Sequence, residues 1–395
     1  MEDKRKAWAV MGVVFFASIV VAINQFKVPP VMQVLMSELD IGMAAGGWLM
    51  SAVSVAAIVL AIPAAFLLTR WGPKVSGLVA LGCVVVGSAV GAVAQTFPLL
   101  LLGRLIEGVA LGLVAVVAPA VISMWFEPKE RGLPMGIWAA WVPIGNVIIF
   151  NLAHPVMAAF GWRSVWWLGV LAGALAFVVY ALVVTVPPQL ARPVASGPEK
   201  PASFGRMLLN PASWLLAVTF AVFSFAILGY NTWAPTYLSS EFGMTDTVAS
   251  FYASLMFMAA IPSNFLAGWV INRTQKGYHV LVISFAVSSL LFFLGFRLPA
   301  VGIVAPFMIA LGFASNFIPT AVFTLAPETM PTIHLAGLAL AIVAIGSGGG
   351  GFIGPPVLGG ALSGGNWGLG SIYLLIVMVF GTITGVILLR KDRSS

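Results

Sequence analysis

The sequence predicts an all-α integral membrane protein, with twelve transmembrane helices in two pseudo-symmetric six-helix halves. Three observations predict it: the composition, the length of the apolar runs, and the sidedness of the positive charge. Of 395 residues, 61% are hydrophobic and only 8% are charged, against roughly 25% charged in a soluble domain. Apolarity on that scale leaves too little polar surface to meet water, so most of the chain must meet lipid. The runs are too long, and lack the alternation, for membrane-barrel strands.

A bilayer core needs about 20 apolar residues per helix. By that rule the spans fall at 8–36, 45–68, 75–95, 98–124, 134–158, 164–186, 211–238, 247–270, 279–296, 300–326, 336–360 and 367–389. The basic start Met1–Lys6 runs into a full-length span without a small-residue cleavage site, so it reads as retained rather than as a signal peptide. Twelve spans put both termini on one side. Fifteen of the 19 Lys and Arg then lie on the side of the termini, and two, Arg163 and Arg297, on the other; Lys27 and Arg104 are within spans. Positive charge gathers on the cytoplasmic side of a membrane protein, which places both termini inside and fits a prokaryotic inner membrane. The net charge of +7 is thus explained by orientation and not by nucleic acid.

Residues 187–207 form the one long polar, proline-rich stretch and read as a cytoplasmic linker between halves 1–186 and 208–395. The halves echo each other. Ala61-Ile62-Pro63 recurs as Ala260-Ile261-Pro262, Ser37-Glu38-Leu39 as Ser240-Glu241-Phe242, and Pro155-Val156 as Pro356-Val357. Parallel six-span halves predict a substrate site near the midplane.

Lys27 stands inside the first span, with Asn24 and Gln25 before it and Pro29-Pro30 after it. A lysine in the bilayer costs roughly 2.5–3.5 kcal/mol on insertion scales, so it must face a counter-charge or a wet pathway. Glu107 is the one carboxylate within a span, three residues after Arg104. At a rise of about 1.5 Å per residue, Lys27, Glu107, Asn151 and Asn231 come out about 12–13 Å deep. Two readings stand for Glu107, a static pair with Arg104 on one helix face and a proton carrier. Lys27 reads as a point-charge ligand for an anion or as a gating partner of Glu107. Asn24, Arg104, Asn231, Asn151, Tyr230 and Trp233 complete the candidate substrate contacts. Interhelical hydrogen bonding accounts equally well for such amides.

The loop after span 2 carries Arg70, Gly72 and Lys74; span 4 carries Arg104-x-x-x-Gly108; the next loop reads Pro128-Lys129-Glu130-Arg131-Gly132, and Gly268-x-x-x-Asn272-Arg273 repeats the first motif. On these motifs the chain resembles the major facilitator superfamily along essentially its whole length, and within it the cyanate-permease-like anion permeases. Thr69 stands where the family has Asp, and the span 5 glycine motif of antiporters is lacking at Val142-Pro143. The resemblance implies the superfamily fold, a gating role for Arg70, Gly72, Lys74, Arg131 and Arg273, and a cavity that Lys27, Glu107 and Asn231 line.

The expected function is alternating-access transport of a small anion, coupled to H+, by a monomer in the bilayer. The rival is a proton-coupled exporter of cationic or hydrophobic compounds. The sequence shows no Walker motif, no metal-ligand cluster and no nucleophile–base set, so neither an enzyme nor a cofactor is expected.

Overall fold

The computed structural model describes residues 2–60, 63–127, 130–185, 209–330 and 336–392. The linker read at 187–207 lies outside the described residues. Fifteen α-helices are described, and among the described residues twelve segments are long and apolar enough to cross a membrane. In chain order the helices are α1 (Glu2–Phe26), α2 (Val28–Glu38), α3 (Met43–Leu60), α4 (Pro63–Ala92), α5 (Phe97–Trp125), α6 (Gly132–Ala139), α7 (Trp141–Phe160) and α8 (Arg163–Val183). There follow α9 (Pro211–Phe242), α10 (Asp246–Thr274), α11 (Gly277–Leu294), α12 (Val301–Ser315), α13 (Phe317–Leu325), α14 (Ala336–Leu362) and α15 (Trp367–Asp392).

There are fifteen helices for twelve crossings because prolines divide three of them. Proline has no N–H for the carbonyl four residues back, and its ring crowds that turn. The breaks fall between Phe26 and Val28 ahead of Pro29, at Ala140 ahead of Pro143, and at Asn316 ahead of Pro319. Within α4 the helix kinks at Gly72 (φ 76°, ψ 168°), a backbone conformation open to glycine and strained for other residues.

Contacts divide the chain into two compact units: Met1–Lys27 with Ala52–Pro201, and Val28–Ser51 with Ala202–Ser395. The sequence reading put residues 28–51 in the first half. Their contacts are with the second unit, where Gly46 lies against Met32 and Trp233, and Gly47 against the Pro355 backbone. In lipid, helices associate through close packing and not through apolar burial, so small residues mark the seams. In the first unit Gly108 abuts the Val53 carbonyl and Gly145 abuts Ala22, beside a core of Val14, Val21, Leu81, Val84, Leu113 and Val117. In the second unit Gly346, Gly350 and Gly354 of α14 lie against the carbonyls of Ala217, Ala221 and Phe225 of α9.

Candidate functional site

The site belongs wholly to the first unit and is built where α1 ends. Pro29 leaves the carbonyl of Gln25 without its helical donor, and the chain turns out of helix at Lys27. Arg104, from α5, reaches this frayed end. Its Nη2 donates to the Gln25 carbonyl at 2.8 Å and its Nη1 to the Asn24 carbonyl at 2.6 Å. Nη1 also donates to Glu107 Oε2, one turn along the same helix. Arginine's planar fork suits this double duty; lysine's single ammonium does not.

Lys27 is fully buried. Its ammonium has three N–H groups, and each has an acceptor: Asn24 Oδ1 at 3.0 Å, Ser88 Oγ at 3.0 Å and Glu107 Oε1 at 2.6 Å. The face of Trp166 lies 5.0 Å from Nζ, within cation–π range. Asn24 Nδ2 donates back to the Val20 carbonyl at 2.9 Å, which turns its oxygen toward the ammonium. Ser88 Oγ is 2.8 Å from both Asn24 Oδ1 and Glu107 Oε1, so its one proton serves one or the other. Two cations therefore share one carboxylate, leaving the cluster with an excess of one positive charge.

Glycines make room for the cluster. A Cβ on Gly169 would strike Asn24 Oδ1, come 2.8 Å from Ser88 Oγ and 3.2 Å from Lys27 Nζ; one on Gly87 would come 2.7 Å from Glu107 Cγ. Ser88, Trp166, Gly87 and Gly169 were not among the residues the sequence pointed to. A serine or glycine in an apolar span has many uses, and only the pairing of α4, α5 and α8 with α1 brings these four to Lys27.

The remaining candidates are on α7 and in the second unit. Asn151 of α7 is half-buried and donates to the Val147 carbonyl at 2.8 Å. In the second unit, Tyr230 donates to the Gly295 carbonyl at 3.2 Å and packs on Phe296, and Trp233 Nε1 donates to the Pro355 carbonyl at 2.9 Å. Asn231 is fully buried and its side-chain amide makes no hydrogen bond there. Asn24 and Asn231, equivalent in the sequence repeat, thus differ: one amide is committed and the other is open. Asn146 of α7 is likewise buried with an unpaired amide.

Among the loop residues, Arg131 caps the end of α5, donating from Nε to the Phe126 carbonyl at 2.9 Å and from Nη2 to the Ser123 carbonyl at 2.7 Å. Gly72 sits at the kink in α4 between the exposed Arg70 and the half-buried Lys74, and Arg273 is exposed, 5.6 Å from the Trp269 ring.

Fold and cluster together define a multi-pass membrane protein with a buried, oxygen-lined cation held against the buried carboxylate of Glu107. A family model described as Major Facilitator Superfamily matches residues 14–355, and the chain belongs to that family. It is similar to the D-galactonate transporter of Escherichia coli O6:H1, at 21% identity over 97% of this chain and 96% of that one. It is also similar to the probable L-galactonate transporter of Escherichia coli K12, at 25% identity over 69% of this chain and 63% of the other. A third relative is the multidrug resistance protein MdtL of Klebsiella pneumoniae, at 27% identity over 70% and 69%. Against three curated relatives the chain spans 32%, 63% and 64% of their lengths. Among solved structures, a bacterial homologue of the human lysosomal transporter Spinster has the same fold, with TM-score 0.80, 18% identity and 96% of both chains covered. The family and its structural neighbours are membrane transporters and not enzymes.

Proposed function

We propose that the chain is a secondary transporter of a small anion, coupled to protons and working by alternating access as a monomer with both termini in the cytoplasm. The observation that carries this reading is the competition built around Lys27. Its ammonium has no N–H left for a substrate while Glu107 is ionised. A proton on Glu107 cancels the carboxylate's hold, and the cluster then carries two positive charges with no counter-ion. In a low-dielectric site that imbalance is costly, and an incoming anion relieves it. Proton and anion thereby favour each other, as coupling requires. The two galactonate transporters among the relatives act on carboxylates, which is the anion class the reading favours.

The test is uptake of labelled gluconate, glucuronate and nitrate into liposomes holding the purified protein, with and without an acid-outside gradient. Gradient-driven uptake of at least one anion is expected, lost in Lys27→Ala. Unchanged uptake by a folded Lys27→Ala protein would remove the anion role. The similarity to MdtL supports a second reading, export of cationic or hydrophobic compounds with Glu107 attracting the cation. Competition by lipophilic cations, and none by carboxylates, would favour it.

A further inference from the structure

The three oxygens around Lys27 Nζ come from an amide, a hydroxyl and a carboxylate, on α1, α4 and α5. Three neutral or anionic oxygens converging on a buried point, closed by an aromatic face, are a coordination set for a free monovalent cation. We propose that Asn24 Oδ1, Ser88 Oγ and Glu107 Oε1 form a monovalent-cation site whose resident occupant is the chain's own ammonium. Lys27 takes the place that a diffusible ion would otherwise hold, so the site needs no sodium or potassium.

Three further observations carry the assignment. The oxygens lie 2.6–3.0 Å from the nitrogen, one at the long end and two beyond the roughly 2.3–2.6 Å of oxygen ligands about Ca2+; the cradle is sized for ammonium or potassium. The ligands are held from behind: Asn24 by the Val20 carbonyl, and Glu107 through its other oxygen by Arg104. Held ligands keep their places when the occupant changes. Gly169 leaves open the space where a side chain would meet two of the three oxygens and the occupant itself.

Removing the tethered ammonium should therefore leave a vacant cation site, not merely an acid with one partner fewer. The experiment is thermal unfolding of purified full-length wild type and Lys27→Ala in ammonium, potassium, sodium and choline chloride at equal ionic strength. Lys27→Ala is expected to melt below wild type in choline and to recover by about 3 °C or more in saturating ammonium. Potassium should act next best and sodium least, while wild type melts alike in all four. Lys27→Ala/Ser88→Ala, which keeps the space and loses a ligand, should lose most of the ammonium effect. Equal melting of Lys27→Ala in the four salts would overturn the proposal, as would an ammonium response of wild type matching that of the variant. Where Lys27→Ala aggregates in choline, extraction directly into ammonium chloride is the same test: a monodisperse protein in ammonium alone supports the site, and aggregation in all four salts contradicts it. The inference stands on the geometry of the first unit and not on the anion reading; unfolding reads it without transport, so either can fail alone.

Discussion

Arg104 donates to the carbonyl of Gln25, the group that Pro29, four residues on, leaves without a helical partner. The break in the first helix and the arginine of the fourth span are thus one feature. Arg104→Lys keeps the charge but reaches one carbonyl at best. It is expected to lose about 1.5–3 kcal/mol, the worth of a charged hydrogen bond, and Arg104→Ala about 3–5 kcal/mol, since it also strips Glu107 of a buried partner. Unfolding in detergent checks the order. Equal stability of Arg104→Lys and wild type would dissociate the arginine from the break.

Charge and its removal should be strongly non-additive. Glu107→Gln leaves Lys27 and Arg104 buried with no counter-charge, a cost of roughly 3–5 kcal/mol. Lys27→Ala/Glu107→Gln removes one charge of each sign and should be more stable than Glu107→Gln alone, while Lys27→Ala alone keeps the Arg104–Glu107 pair and should cost less than Glu107→Gln. A double-mutant cycle gives the coupling directly; additive losses would mean that the two groups do not sense each other.

Gly169→Ala is expected to destabilise by about 1–3 kcal/mol, the usual range for overpacking, and to cut transport, because its methyl lands among Asn24, Ser88 and Lys27. Gly12→Ala, where the added carbon meets nothing within 4 Å, is the matched control and should be near neutral or slightly stabilising.

Ser88→Ala removes an acceptor from Lys27 and a donor from the Asn24–Glu107 pair, an expected cost of about 1–3 kcal/mol. Under the coupling reading it also shifts the pH profile of uptake, whereas a purely structural serine would lower uptake equally at every pH. Ser88→Thr, which keeps the hydroxyl, should restore the profile.

Much of this was legible in the residues. Run length predicts as many spans as there are segments long and apolar enough to cross a membrane among the described residues, because lipid imposes a length on every span. Depth arithmetic brings Lys27 and Glu107 to one level, and the spacing of Arg104 and Glu107 predicts their pair; all three meet, with Asn24. Pro29-Pro30 announces the irregular wall of the first span. Pro143 and Pro319 break their helices too, yet Pro235 and Pro262 do not, so a proline alone does not decide a break. Hidden from the sequence were the ligands that other helices supply. Nothing in a span's own pattern says that Ser88 faces an ammonium, or that Trp233 commits its N–H to Pro355 while Asn231 keeps its amide open. Those facts depend on which helix lies beside which.

The central claim is that Glu107 and the transported anion compete for Lys27. Its most direct measurement is equilibrium binding of gluconate and glucuronate to purified wild type and Glu107→Gln across a pH series. Glu107→Gln takes the competing carboxylate from the ammonium, so it should bind at least one of the two anions more tightly than wild type across the series. The same affinity and the same pH slope in both proteins would contradict the account.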